Sequence, residues 1–298
     1  MTILLTGATG FLGSHILHRL LQTNHKVVIL KRSFSNTWRI NSILSKIKAY
    51  DLDKIAMDTP FKEQKIDIVI HTATNYGRSN QPVADIVDTN LMFSLKLLET
   101  AAFFNTEAFF NTDTFFNTDT LLYKYLNHYS LSKKQFVEWL KYFSDKIRVV
   151  NLKLEHIYGV QDDDTKFVMW IINQMLNNAN SIDLTKGEQK RDFIYIDDVV
   201  EAYLLMLEKY STFQAFSEFD IGTGNQIRLK EFILKIYQEI SNLTPISTQL
   251  NFGAKAYRDG EFMEIQENVK PLFDLGWKPK ISIENGIRKI LKDRIKND

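Results

Sequence analysis

The chain has 298 residues, 44% of them hydrophobic and 24% charged, enough to bury one large α/β core or two modest ones. Lys plus Arg total 37 against 36 for Asp plus Glu, a formal charge of +1, so no global field exists to hold nucleic acid or an anionic membrane, and neither is expected as a partner. No apolar run reaches the ~18–20 residues that cross a bilayer, the first apolar segment lacks the leader of a secretion signal, and the absence of cysteine excludes disulfides, thiolate zinc and cysteine nucleophiles, so a soluble, cytoplasmic protein is expected.

In chain order, Thr2–Thr6 reads as a strand, Phe11–Leu21 as a helix with Leu12, Ile16, Leu17, Leu20 and Leu21 on one side, and Lys26–Leu30 as the next strand. Further strands are expected at Lys46–Tyr50, Asp67–Thr72 and Arg148–Leu154, with helices of crossover length at Val83–Ala102 and Tyr129–Phe143. This alternation predicts an α/β doubly wound parallel sheet. Beyond Glu155 the rhythm loosens into a helix at Phe167–Leu176, a strand RDFIYI at 191–196 and a helix at Asp197–Leu207. Turn signals follow at Gly222–Asn225, Gly253 and Gly276. The expected organisation is a first lobe at 1–155 with a return segment at 192–222, and a smaller C-terminal substrate lobe made of 156–191 and 223–298.

One local repeat stands out: AFFNTE at 102–107, AFFNTD at 108–113 and TFFNTD at 114–119. Its period of six is even, so sliding a strand by one copy keeps every side chain on the same face and leaves the register open.

Directly after the first strand stands TGATGFLGS, with Gly7, Gly10 and Gly13 spaced G-x-x-G-x-x-G. Glycines there permit a tight turn, close approach of backbone to a pyrophosphate, and close packing of a helix whose first amides favour an anion. Where the second strand ends, an NAD site usually carries an acidic residue for the ribose 2′-hydroxyl. The strand here ends VVILKRS, and Arg32, helped by Ser33 and Lys31 or Arg39, would suit a 2′-phosphate. NADPH is therefore expected over NADH, the alternative being a solvated strand end.

Tyr129-Ser-Leu-Ser-Lys133 opens an amphipathic helix, and at i and i+4 its phenol and ammonium share one face. A fixed cation stabilises phenolate and lowers a tyrosine pKa from its ordinary ~10, as a proton relay needs. The alternative is a surface tyrosine beside a solvated lysine. No metal site is evident: the histidines are scattered, and Asp162, Asp163 and Asp164 read as a capped or solvated turn.

Taken together, TGATGFLG, HTAT at 71–74, Asn90, YSLSK, LKLEHIYG at 152–159 and RDFIYIDDV at 191–199 resemble the extended short-chain dehydrogenase/reductases that act on sugar nucleotides. Within that family, NYGRSNQP at 75–82 with LKLEHIYGVQDDDTKF is most similar to the CDP-paratose synthases. The resemblance implies a Rossmann-type fold and cofactor contacts from Gly7, Thr9, Gly10, Phe11, Leu12, Gly13, Lys31, Arg32, Ser33, Asp51, Leu52, Thr72, Ala73, Thr74, Asn90, Tyr129, Lys133 and His156. It implies Tyr129 and Lys133 as catalytic residues, with a threonine hydroxyl at the end of the preceding strand. Counting forward from Asn90 favours Thr112 for that role, counting back from Tyr129 favours Thr118, and the choice stays open.

Similar dehydratases carry Thr-Asp-Glu where this chain has Thr-Asp-Thr, which argues against 4,6-dehydration. By resemblance, Arg191 and Arg258 match a diphosphate clamp, while Arg78 and His156 are substrate contacts. The bland alternatives are local ion pairs for the arginines and a packed ring for His156. The implied activity is NADPH-dependent reduction of the position-4 ketone of a nucleotide-activated deoxyhexose, with CDP-4-keto-3,6-dideoxyglucose going to CDP-paratose or CDP-abequose for surface polysaccharide synthesis. A nucleotide-sugar 4-epimerase and a non-catalytic binding protein are the alternatives, and relatives of this kind commonly form homodimers through helices near the catalytic one.

Overall fold

Short β-branched runs build the sheet, and amphipathic stretches between them cover it. The computed structural model describes residues 1–78, 80–106 and 112–297. Its first half runs β1 (Thr2–Thr6), α1 (Phe11–Leu20), β2 (Lys26–Lys31), α2 (Asn41–Leu44), β3 (Lys48–Asp51), α3 (Thr59–Gln64) and β4 (Ile68–His71). There follow α4 (Val83–Val87), a π-helical turn (Asp88–Phe93), α5 (Ser94–Thr106), β5 (Thr114–Thr120), α6 (His128–Phe143) and β6 (Arg148–Leu154). The second half holds β7 (His156–Tyr158), α7 (Phe167–Leu176), β8 (Ser181–Leu184), β9 (Lys190–Tyr195), α8 (Ile196–Lys209) and β10 (Phe216–Ile221). It ends with β11 (Gln226–Arg228), α9 (Leu229–Ser241), β12 (Gln249–Phe252), α10 (Lys270–Asp274) and α11 (Ile283–Asn297).

Two compact units result: Met1–Leu154 with Ala202–Phe219, and Glu155–Glu201 with Asp220–Asp298. The returning segment is shorter than the 192–222 expected, because β9 pairs with β7 and β11 in a separate three-stranded sheet.

In the first unit the seven-stranded sheet has the order β10-β6-β5-β4-β1-β2-β3. Every pair from β3 to β6 is parallel. The chain winds outward from β1 to β3, then returns to β4 on the other side of β1. That reversal opens a crevice at the carboxyl ends of β1 and β4, the place where ligands of doubly wound sheets bind. One face buries Leu4, Val28, Val69, Phe115 and Val149 against Leu97, Leu98 and Ala101 of α5 and Phe136, Val137 and Leu140 of α6. Each fully buried side chain of this kind contributes roughly 1.5–3 kcal/mol.

In the second unit, Asp198 near the start of α8 accepts the amides of Lys280 and Ile281 at 3.0 and 2.9 Å. The Trp277 indole donates to the Asp198 carbonyl at 3.2 Å. The second aspartate of IDDV thus anchors the segment that leads into α11.

At Gly13 the backbone of α1 lies against the Gly7 carbonyl, and a Cβ there would overlap that oxygen. Gly13→Ala is expected to cost about 1–3 kcal/mol. Thermal melts check this, and a variant that melts like the parent would contradict the packing argument.

Candidate active site

Gly7 turns the chain out of β1 with φ of +72°, and a Cβ on it would stand 2.6 Å from the Ala73 nitrogen. Its carbonyl accepts the Gly10 amide at 2.9 Å. Gly10 is the N-cap of α1 and offers no side-chain oxygen, so the first-turn amides, Phe11, Leu12 and Gly13 among them, are left for an anion. Thr9 lies in the same turn, its carbonyl accepting from Arg39 at 3.4 Å. The floor is tied to β4: Thr72 donates to the Thr6 carbonyl at 2.7 Å, and the Ala73 amide to the Thr6 hydroxyl at 3.3 Å. A close-approach glycine turn with uncapped helical amides fits the pyrophosphate of a dinucleotide.

The end of β2 differs from the expectation of a cationic pocket. Lys31 is ion-paired with Asp51, whose carboxyl it holds below the usual range. The Ser33 amide and hydroxyl both donate to Asp53 at 2.6 Å, depressing that carboxyl too. Leu52 continues from Asp51, its amide donating to the Lys31 carbonyl at 2.7 Å. Arg32 is exposed and lies 4.9 Å from the centre of the Phe34 ring. Two carboxylates at this strand end oppose a 2′-phosphate.

The helix α6, which carries Tyr129 and Lys133, is capped by Asn127, whose side chain accepts the Ser130 amide at 2.8 Å, and this places Tyr129 in the first turn. Asn90, on the π-helical turn, fixes that turn from outside. Its Oδ1 accepts the Asn75 amide at 2.7 Å and the Thr74 hydroxyl at 3.2 Å. Its Nδ2 donates to the Asn75 carbonyl at 2.8 Å and to Ser132 at 3.0 Å, and Ser132 donates to the Tyr129 carbonyl at 2.8 Å. With its amide committed, Asn90 serves as a clip between the loop after β4 and α6. Sequence spacing gives no sign of the π turn that swings it inward, a deviation frequent at functional sites.

Lys133 is only 2% exposed. Burial pulls its ammonium down to about 8, partly opposed by the Asp119 carboxylate. Burial pushes the Tyr129 phenol well up, the Tyr76 phenol and Asp119 add to the rise, and a hydrogen bond with Thr120 opposes it. The expected acidification of Tyr129 by Lys133 is thus not the net effect in this state, where desolvation is the largest influence on the phenol. Tyr76, missed in the sequence although it lies in NYGRSNQP, packs on Tyr129 with ring centroids 4.9 Å apart. Arg78 is exposed, 5.4 Å from the Tyr76 ring centre. Asp119 pairs with Lys134 at 2.8 Å.

The third copy of the repeat forms β5, while residues 107–111, most of the second copy, lie outside the described residues. Thr118 sits at the carboxyl end, its hydroxyl 2.6 Å from that of Tyr203. Thr112 precedes β5 and donates to the Ile66 carbonyl at 2.8 Å. Six residues of strand separate the two by roughly 20 Å, so Thr112 is a structural hydroxyl at the opposite end of the sheet and only Thr118 shares an end with Tyr129.

In the second unit, Arg191 on β9 is ion-paired with Glu261, and Arg258 reaches the other oxygen of that carboxylate at 3.2 Å. His156 bonds Glu155 at 3.1 Å, and its ring is pulled down to about 4 by burial and then by Arg191, so it is neutral at pH 7. Burial likewise lifts Glu155 to about 8. Among the described residues no group of three or more His, Asp or Glu could hold a metal ion, and no helix is long and apolar enough to cross a membrane.

A switch-point glycine cradle with a half-buried Tyr129 and a buried Lys133 on one helix is the arrangement of an NAD(P)-linked oxidoreductase. Residues 3–222 match the NAD dependent epimerase/dehydratase family, and the chain belongs to it. A CDP-abequose synthase from Salmonella muenchen is 37% identical over 97% of this chain and 96% of its own length. That relative corrects the narrower expectation of a CDP-paratose synthase. UDP-glucose 4-epimerase from Thermotoga maritima, solved with UDP-glucose, aligns over 100% of this chain and 99% of its own at TM-score 0.82 and 23% identity. UDP-glucuronic acid 4-epimerase from Bacillus cereus, solved with UDP-glucuronic acid and NAD, aligns over 100% of both chains at TM-score 0.80 and 21% identity. The α/β Rossmann-type fold is thus shared with its solved neighbours. The NADPH expectation is overturned: UDP-glucuronic acid 4-epimerase, MoeE5 and a Thermus thermophilus UDP-glucose 4-epimerase were solved with NAD, and Lys31, one of the cations on which the expectation rested, is paired with Asp51.

Two outcomes test the site. Thr118→Val and Thr112→Val are each expected to cost about 1 kcal/mol for the hydrogen bond lost, but only Thr118→Val lowers turnover; paired kinetics and melts in which Thr112→Val alone loses turnover would restore Thr112. Lys133→Met is expected to lose activity yet gain about 2–4 kcal/mol at pH 7. Its folded value, about 8, lies below its usual 10.5, so between these values the unfolded chain binds more protons and the stability of the parent rises with pH. The gain is therefore full below pH 8 and fades toward 10.5; urea denaturation across that window checks it, and a less stable variant at pH 7 would refute it.

Proposed function

We propose that this chain carries out oxidation and reduction at carbon 4 of a nucleotide-linked hexose, using NAD. The observation that carries the reading is the half-buried Tyr129 with the buried Lys133 on α6, in the same unit as the glycine cradle and tied through Ser132 and Asn90 to the loop after β4. Gly7 to Gly13 and the first amides of α1 would hold the pyrophosphate, with Asp51 and Asp53 on the adenosine side. The bound nicotinamide supplies a hydride donor or acceptor.

Tyr129, kept protonated by burial, gives its proton to an oxygen that gains negative charge during reduction and takes it back in the reverse direction. Thr118 turns from Tyr203 to hold that oxygen. Lys133 fixes a cation one helical turn away and, by resemblance to the family, bonds the nicotinamide ribose. Arg191 and Arg258 bind the diphosphate. Thr120 stands where dehydratases carry Glu, which leaves no second acid for water elimination.

Two net reactions use this chemistry. In 4-epimerisation the ketone is reduced again on the other face with NAD retained; UDP-glucose and UDP-glucuronic acid 4-epimerases of the same fold support this form. In net reduction a 4-ketosugar consumes reduced cofactor; the CDP-abequose synthase identity along nearly the whole chain favours it.

Incubation with UDP-glucose, and separately with NADH and CDP-4-keto-3,6-dideoxyglucose, distinguishes them. Epimerisation gives a second 4-epimer by NMR without loss of NADH absorbance, and reduction gives stoichiometric loss. Tyr129→Phe is expected to depress either by about 10²- to 10⁴-fold while NAD still binds. No change at carbon 4 with any UDP-, CDP- or dTDP-sugar, or full turnover in the variant, would defeat the reading.

A further inference from the structure

The second unit already holds an anion between the two arginines assigned to the diphosphate. Glu261 gives one carboxylate oxygen to Arg191 and the other to Arg258, at 3.2 Å for the latter. The Glu261 and Arg191 side chains are 9% and 10% exposed, whereas Arg258 is 81% exposed. A carboxylate bridging two guanidinium groups reproduces the charge and acceptor pattern of one phosphate of a diphosphate.

The segment that carries Glu261 is a strap without regular secondary structure, running from Arg258 to Asn268. It turns tightly, the Glu261 amide donating to the Arg258 carbonyl at 3.0 Å. It is then pinned along β9 and β11: the Lys190 amide donates to the Met263 carbonyl at 2.7 Å, and Gln226 to the Ile265 carbonyl at 2.5 Å. Lys190 pairs with Glu264 at 2.7 Å, and the Asn268 amide donates to Asp220 at 2.8 Å. These fastenings do not involve Glu261, so its side chain can leave the arginines while the strap stays in place.

We propose that Glu261 is an internal competitor for the diphosphate site, a specificity residue whose carboxylate occupies Arg191 and Arg258 until a ligand of higher negative charge displaces it. The inference rests on the clamp proposed above and deepens it. A neutral ligand gains nothing by displacing Glu261. A single negative charge exchanges one carboxylate-like partner for another. A diphosphate brings more charge and more acceptor oxygens to the same two guanidinium groups, and it alone shifts the exchange strongly. Glu261 thereby sets a threshold of charge for occupancy and keeps Arg191 paired when no ligand is present, which a buried cation requires.

The test compares CDP, inorganic pyrophosphate and cytidine by calorimetry on the full chain loaded with NAD. Glu261→Gln removes the competing charge and keeps the side-chain shape. If the paired state holds about nine-tenths of the free protein, CDP and pyrophosphate bind about tenfold tighter to the variant, and cytidine binds unchanged. Glu261→Asp, too short to bridge both arginines, is expected to fall between, and it serves should the Gln variant melt early. CDP affinity in Glu261→Gln equal to or weaker than in the parent overturns the inference. Arg258→Ala, at an exposed position, tests the clamp separately: weaker CDP binding there supports it, and unchanged binding defeats the clamp whatever Glu261 does.

Discussion

Between the exits of β1 and β4 there is no room for a side chain. Gly7 bends the backbone with positive φ against Thr72 and Ala73, and two hydrogen bonds from Thr72 and Ala73 to Thr6 hold the approach. On one side the turn aims the first amides of α1 into the crevice. On the other, the loop that leaves Ala73 carries Thr74 and Asn75 to Asn90, which reaches Ser132 and so the carbonyl of Tyr129. A single close backbone contact therefore fixes both the glycine turn and the first turn of α6, which carries Tyr129. The two cannot drift independently, as hydride and proton transfer to adjacent atoms demands.

Burial acts on the Tyr–Lys pair in opposite directions. It raises the phenol and lowers the ammonium, so in the free chain the lysine is the stronger acid, the reverse of the order in water. A phenol so placed does not ionise by itself at neutral pH. In the reaction proposed above it is the proton donor for an oxygen whose charge develops, and the cation at Lys133 is partly discharged by the same desolvation that makes its field effective. Asp119 supports the lysine charge but also raises the phenol, and Lys134 takes up part of its field.

Features carried by neighbours along the chain are legible from the residues alone. The β1 strand, the glycine turn and α1 lie within one short segment, and Tyr129 and Lys133 share a helix face because helical periodicity puts them there. The repeat shows the limit. Its even period preserves every strand face, so alternation says nothing about which threonine ends the strand. Long-range bonds decide it, from the Asp113 amide to the Asp67 carbonyl at 2.8 Å and from Thr112 to Ile66, which anchor the start of β5 beside that of β4. Asn90 is visible as a conspicuous polar residue, but the π turn that commits its amide to the loop leaves no periodic trace.

Charge is where local sequence misleads most. Lys31, Arg32 and Ser33 form a cationic strand end when taken alone, yet Asp51, contributed by the next strand, pairs with Lys31, and Asp53, in the turn after it, accepts from Ser33. Arg191 and Arg258 stand free in the sequence, yet Glu261 lies between them. In both places the cation belongs to a motif and its counter-charge does not, because any acidic side chain that reaches the pocket serves equally well. A binding site for an anion is defined by the field that remains after internal pairing, and that remainder depends on folding having brought distant carboxylates to the same guanidinium or ammonium. Strand ends and clamps that look alike in sequence can therefore differ in the ligand charge they accept, and the residues that make the difference lie outside the motifs by which the family is recognised.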